Sequence, residues 1–227
     1  LGGDGTVGAN KNAISTNGLV ANKYVQAYFS YDSMKSGGLT QSHLRFGDKP
    51  IRSTYLVSSA DFVACHASTY VEKYDLTEDL KDGGIFLLNC PWSIADLERR
   101  LPAKMKRDLA SKHVQFYIID AAKLAKEIGL GKHTNNILQS AFFALTKVIP
   151  MDVAVADMKK NNYDTYFKKS GQKIVDLNNK AIDVGVHAAI KVDIPPFWSS
   201  AQDVSNTEVN ATPFVREIVM PMDRQQG

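Results

Sequence analysis

The chain has 227 residues, is 44% hydrophobic and 22% charged, and carries a formal net charge of +3. That is enough apolar material for one good-sized domain or two small ones, while the basic excess is too small and too scattered for a nucleic-acid binder. No apolar run reaches the ~18 residues a membrane-spanning helix needs, and no basic start leads into an apolar stretch, so neither a membrane span nor a signal peptide is expected. The chain opens abruptly on Leu1-Gly2-Gly3, without the strand that normally holds a glycine loop, and closes on Gln225-Gln226-Gly227. Both ends read as those of a piece of a longer polypeptide.

In chain order, Ala9 to Leu19 is a candidate helix behind the first glycine loop. Val25 to Tyr31 is short and rich in aromatic and β-branched residues, which predicts a strand. Asp32 to Gly38 is a loop, and Ile51 to Val57 and Asp61 to Cys65 are further strands. Thr69 to Leu80 carries a helical pattern. Asp82-Gly83-Gly84 is a turn, and the apolar run Ile85 to Asn89 suits a strand buried on both faces. Ser93 is an N-cap with Asp96 at the capping-box position, and Pro102 separates that helix from another over Ala103 to Lys112. Val114 to Ile119 is a strand, and Ala121 to Ile128 is a helix ended by Gly129. Helices follow over Asn135 to Val148, Met151 to Phe167 and Gln172 to Ile190. From Asp193 the prolines 195, 196, 213 and 221 sit among polar residues, so 193–227 reads as an extended connector. The alternation predicts an α/β fold: a three-layer, Rossmann-like sandwich around a mostly parallel sheet, with extra C-terminal helices and an extended tail.

Gly3-Asp4-Gly5-Thr6-Val7-Gly8 fits G-x-G-x-x-G, in which glycines bring the backbone close to phosphate oxygens at a helix N-terminus. The pattern equally fits a tight turn packing helix on strand. Asp32 falls about where a dinucleotide fold places a ribose-binding acid. Lys35-Ser36-Gly37-Gly38 adds a second glycine loop with a cation, which suggests another set of phosphate donors. Spacing excludes a P-loop. Arg45 suits a phosphate or carboxylate, or an inter-domain ion pair. Cys65 reads as a buried structural cysteine, and Cys90, beside Asn89 at a strand end, either faces a cleft or, the favoured reading, serves packing. Two cysteines without a CxxC pair indicate reduced, intracellular thiols and no iron–sulfur cluster motif of this segment's own. His113, His133 and His187 show no metal-ligand spacing. No catalytic residue and no metal ligand is assigned.

These segments together resemble pyruvate:ferredoxin (flavodoxin) oxidoreductase, and within it the internal gamma-type domain, domain III. The resemblance rests on Gly3 to Asn12, on Tyr31-Asp32-Ser33 with Lys35 to Gly38, and on Ser42-His43-Leu44-Arg45-Phe46-Gly47. It continues through Ile51 to Tyr55, Ala60 to His66, Phe86 to Trp92, Asn135-Asn136-Ile137 and Gln139 to Phe143. It implies that 1–192 is the gamma-type domain and 193–227 a connector to the next. The full enzyme it implies oxidises pyruvate with coenzyme A to acetyl-CoA and carbon dioxide. Thiamine diphosphate and [4Fe-4S] clusters would sit on other domains, and ferredoxin or flavodoxin would accept the electrons. It implies a homodimer in the cytoplasm or in an organelle of an anaerobic eukaryote, with no membrane or nucleic-acid partner. This domain would serve coenzyme A binding and subunit packing. Gly3, Asp4, Gly5, Thr6 and Gly8 with Lys35, Ser36, Gly37 and Arg45 would then meet the phosphates of coenzyme A. A self-contained NAD-type nucleotide module and a purely structural spacer remain the alternatives.

Overall fold

The computed structural model describes residues 11, 16, 18, 23–31, 39–203, 212–219 and 222. The glycine loop at 3–8, most of the helix expected over 9–19 and the loop at 32–38 lie outside the described residues. The chain divides into two units, Leu1–Ser58 with Ile119–Ile190 and Ser59–Ile118 with Lys191–Gly227.

In the first unit, β1 (Tyr24–Tyr31) pairs antiparallel with β2 (Thr40–Gly47), placing Tyr31 opposite Thr40 and Tyr24 opposite Gly47. β1 follows expectation. β2 does not: its residues are mostly polar, and pairing with the aromatic β1 outweighs their weak alternation. The strand expected at Ile51 to Val57 is absent. Gln26 Nε2 donates to Ser53 O at 2.6 Å and Arg45 Nη2 to Leu56 O at 2.9 Å, so side chains take carbonyls that a sheet would have used. Three helices then form a bundle after α3 (Ala121–Ile128): α4 (Asn135–Thr146), α5 (Met151–Ser170) and α6 (Gln172–Gly185). Asp120 caps α3 through Lys123 N, and Gly129 ends it at φ 96°, a left-handed angle that glycine adopts without strain. Phe143, Ile149, Ala154, Met158 and Ile182 make an apolar core. Beside it Asn136 Nδ2 donates to Asn162 Oδ1 and Asn178 Oδ1 at 3.1 and 2.8 Å, tying α4 to α5 and α6. α6 stops at Gly185, short of the expected Ile190, because the chain turns there and Ile190 opens a strand.

The second unit holds a four-stranded, mostly parallel sheet in the order β3 (Ala60–Cys65), β4 (Leu80–Asn89), β5 (Gln115–Ile119), β6 (Ile190–Val192). The fold is therefore α/β, as the alternation of elements predicts. β3 and β4 run parallel. Phe86 and Leu88 on one face of β4 are buried, and so is Leu87 on the other, which its continuous apolar run requires. The expected turn at Asp82 to Gly84 is instead a bulge inside β4. β3 advances from Ala60 to Phe62 while β4 advances from Leu80 to Ile85, and Gly83 sits at φ 69°. α1 (Ile94–Arg100) and α2 (Ala103–Ser111) pack Leu97, Met105 and Leu109 on the sheet with Phe86 and Phe116. The capping box at Ser93 and Asp96 is formed, and the Ser93 hydroxyl, with Arg99, holds the Asp96 carboxyl down at about 2.

No helix spans Thr69 to Leu80. A 3-10 turn covers Ser68–Tyr70, and then Asp75 Oδ1 accepts from Thr77 N and Glu78 N, both at 3.1 Å. That local Asx turn competes with the helix. Distant partners fix it: Lys104 Nζ meets Asp75 at 2.6 Å and Asp108 at 2.7 Å, and Lys112 Nζ donates to the carbonyls of Thr77 and Glu78. Burial opposes ionisation of Asp75, but the Lys104 ammonium and the Thr77 donors outweigh it and hold the carboxyl below its usual value. After β6 the chain enters the same core. Trp198, 2% exposed, donates Nε1 to Glu98 Oε2, and Lys106 Nζ donates to Glu98 Oε1 at 2.7 Å. Arg107 Nη1 donates to Ala201 O at 2.6 Å.

Candidate functional site

Of the ligand residues expected from the sequence, Arg45 lies among the described residues; Gly3, Asp4, Gly5, Thr6, Gly8, Lys35, Ser36 and Gly37 do not. Arg45 stands on β2 opposite Gln26. Its Nη1 donates to Gln26 Oε1 at 2.8 Å, its Nη2 to Leu56 O, and its guanidinium lies over the Tyr55 ring at 5.1 Å. It meets no carboxylate among the described residues. One of its donors thus ties the 51–58 segment to the hairpin and the other braces Gln26 across the two strands, and the planar cation keeps further N–H groups for another acceptor. Two other polar atoms of β2, Ser42 Oγ and His43 Nε2, are buried without a hydrogen-bond partner among the described residues.

A cleft of about 760 Å³ opens elsewhere in the first unit, lined by Lys23, Phe143, Lys147, Pro150, Met151 and His187 among others. Its lining is mostly apolar and includes Lys23, Lys147 and His187. Lys23 is engaged with Asp48 at 2.6 Å, and Lys147 ends α4 at φ 52°. Sequence reading missed this place, because Lys23, Lys147 and His187 are far apart in the chain and share no spacing.

In the second unit, the carboxyl ends of β3 and β4 bring Cys65, His66, Asn89 and Cys90 together. Asn89 Nδ2 donates to His66 O at 3.0 Å, which ties the two strand ends. Cys65 and Cys90 are both buried and are not joined in a disulfide. Cys65 Sγ–H donates to Ala67 O at 3.1 Å, and burial pushes the thiol up to about 12, with Cys90 adding to the rise. At neutral pH such a thiol is protonated and a poor nucleophile, so packing is its role. Among the described residues no three His, Cys, Asp or Glu side chains group to hold a metal, and no helix is long and apolar enough to cross a membrane. The described residues therefore do not fit an iron–sulfur cluster.

Residues 1–188 match the family model described as pyruvate ferredoxin/flavodoxin oxidoreductase. The pyruvate-flavodoxin oxidoreductase of Enterobacter agglomerans is 49% identical over all of this chain, which spans 19% of that protein's length. Among solved structures, pyruvate oxidoreductase subunit PORC of Thermotoga maritima superposes with a TM-score of 0.65 at 19% identity, covering 84% of this chain and 93% of that one. The 2-oxoglutarate:ferredoxin oxidoreductase of Magnetococcus marinus, solved with 2-oxoglutarate, coenzyme A and succinyl-CoA bound, gives 0.59 at 16% identity, over 81% of this chain and 28% of that one. The structural likenesses establish a shared fold, and the sequence matches go further: the chain belongs to the pyruvate ferredoxin/flavodoxin oxidoreductase family.

Proposed function

We propose that this chain is a domain of an enzyme that oxidises pyruvate with coenzyme A to acetyl-CoA and carbon dioxide, passing electrons to ferredoxin or flavodoxin. The observation that carries the reading is the 49% identity to a pyruvate-flavodoxin oxidoreductase along the whole chain. Thiamine diphosphate and [4Fe-4S] clusters belong, on this reading, to other domains of a homodimeric protein in the cytoplasm or an organelle. Residues 1–192 act as the gamma-type domain, and 193–227 lead to the next.

The domain's own part is to hold the phosphates of coenzyme A. Gly3, Asp4, Gly5, Thr6 and Gly8 offer backbone and hydroxyl donors, Lys35 a point charge, and Ser36 and Gly37 further donors. Arg45 both braces the hairpin and presents its remaining N–H groups. Two facts support this assignment. A structural neighbour was solved with coenzyme A bound. On β2, Ser42 Oγ and His43 Nε2 are buried polar atoms without a hydrogen-bond partner among the described residues. Calorimetric titration of the full-length protein with coenzyme A tests it. Lys35→Ala is expected to weaken binding about tenfold, the loss of one charge-assisted contact; unchanged affinity overturns the coenzyme A assignment. Pyruvate-dependent reduction of ferredoxin or flavodoxin tests the enzyme reading separately.

A further inference from the structure

The cleft of the first unit lies where the ends of α4 and α6 meet the start of α5, beside Lys23, and all of its described lining belongs to that unit. Its 760 Å³ falls within the roughly 300–1,000 Å³ of cavities that enclose small ligands. Phe143, Ile149 and Met151 contribute to its apolar lining. Every charged or titratable side chain among its described lining residues is basic: Lys23, Lys147 and His187. Asp48 already takes Lys23 at 2.6 Å, which leaves the Lys147 ammonium without an ion-pair partner among the described residues. Lys147 is exposed and stands at the left-handed position that ends α4, which glycine or asparagine usually fills. The first turn of α5 has no side-chain cap, and its Met151 and Val153 are in the lining. Its leading N–H groups thus have no partner within the helix, which also favours negative charge. Asp152, the acid of that turn, is exposed and outside the lining.

We propose that this cleft binds a medium-chain carboxylate, with its hydrocarbon tail against Phe143, Ile149 and Met151 and its single charge at Lys147. Charge complementarity selects the occupant. One uncompensated ammonium matches one carboxylate, and the His187 ring is a further donor. A ligand with several phosphate charges, such as coenzyme A, would bring more negative charge than this lining can meet. A cationic amphiphile would meet like charge. The site is separate from the glycine loops, and the proposal does not rest on the coenzyme A assignment.

Calorimetric titration of the full-length protein with hexanoate, octanoate and decanoate tests it, with coenzyme A present in excess so that the phosphate site cannot take up the probe. Affinity is expected to rise about threefold per added methylene. Lys147→Glu is expected to weaken decanoate binding by more than about tenfold and Lys147→Gln by about tenfold. The position is exposed, so both variants should keep the fold, which circular dichroism will check. Decyltrimethylammonium, similar in length and opposite in charge, is expected not to bind. Equal binding of decanoate by Lys147→Glu, or equal binding of the cation, would reduce the effect to apolar adhesion and overturn the proposal. Failure of the full-length protein to bind decanoate would overturn it too, because the cleft would then be covered by other parts of the protein.

Discussion

A thiol at the end of a strand illustrates how burial decides chemistry. Cys65 donates its proton to Ala67 O and stays protonated to about 12, against a reference of 9.0 in an open chain. Folded protein therefore keeps a proton that unfolded protein releases above pH 9.0. The associated stability is fully present below that pH and is lost as pH climbs toward the folded value, at up to about 1.4 kcal/mol per pH unit. Cys65→Ala should flatten this alkaline decline relative to the native protein, which denaturant midpoints measured from about pH 8 to about pH 11 will show; parallel declines would contradict the burial argument. Arg45 illustrates the limit of sequence reading at the same scale. An arginine in a polar stretch reads as a candidate for a phosphate, a carboxylate or an inter-domain ion pair, but its engagement with Gln26 and Leu56 depends on a hairpin and a returning segment that no local pattern encodes.

Among the elements, helix caps and apolar strands are legible in the sequence, whereas the bulge at Asp82 to Gly84 and the turn at Asp75 depend on distant partners. The Ser93 and Asp96 box and the Gly129 stop need only neighbours in sequence, and both stand where expected. The helical pattern over Thr69 to Leu80 lost to Asp75, whose turn is clamped by Lys104 and Lys112 from another element. β2 needed its partner strand to become visible. The α4–α5–α6 bundle shows the same dependence in its polar interior, where the 135–143 segment matters less as a motif than as a hub. Asn162 and Asn178 are buried, and Asn136 Nδ2 serves the Oδ1 of each. Asn136→Ala strands both acceptors and should cost about 2–4 kcal/mol in urea unfolding. Combined with Asn178→Ala the losses should be clearly less than additive; additive losses would show that no shared network exists.

For the molecule as a whole, the two units call for separate accounts of stability. The second keeps its sheet and α1 and α2 closed with Trp198, which arrives from beyond β6 and is latched by Glu98. Trp198→Ala opens a large hole there and should destabilise that unit by about 3–5 kcal/mol. Amide exchange should accelerate in β3, β4, α1 and α2 while α4 to α6 keep their protection; uniform acceleration would mean that the units unfold as one. The second unit is also assembled from two separated stretches, and β6 joins the sheet next to β5 only after the helices of the first unit have intervened. On the ribosome, then, β5 emerges with an open edge and waits for the rest of the bundle to be translated before its neighbour exists. Throughout that interval its outer edge lacks a partner, so slowing synthesis between Ile119 and Ile190 is expected to raise aggregation of nascent chains, which sedimentation after translation at different rates will measure.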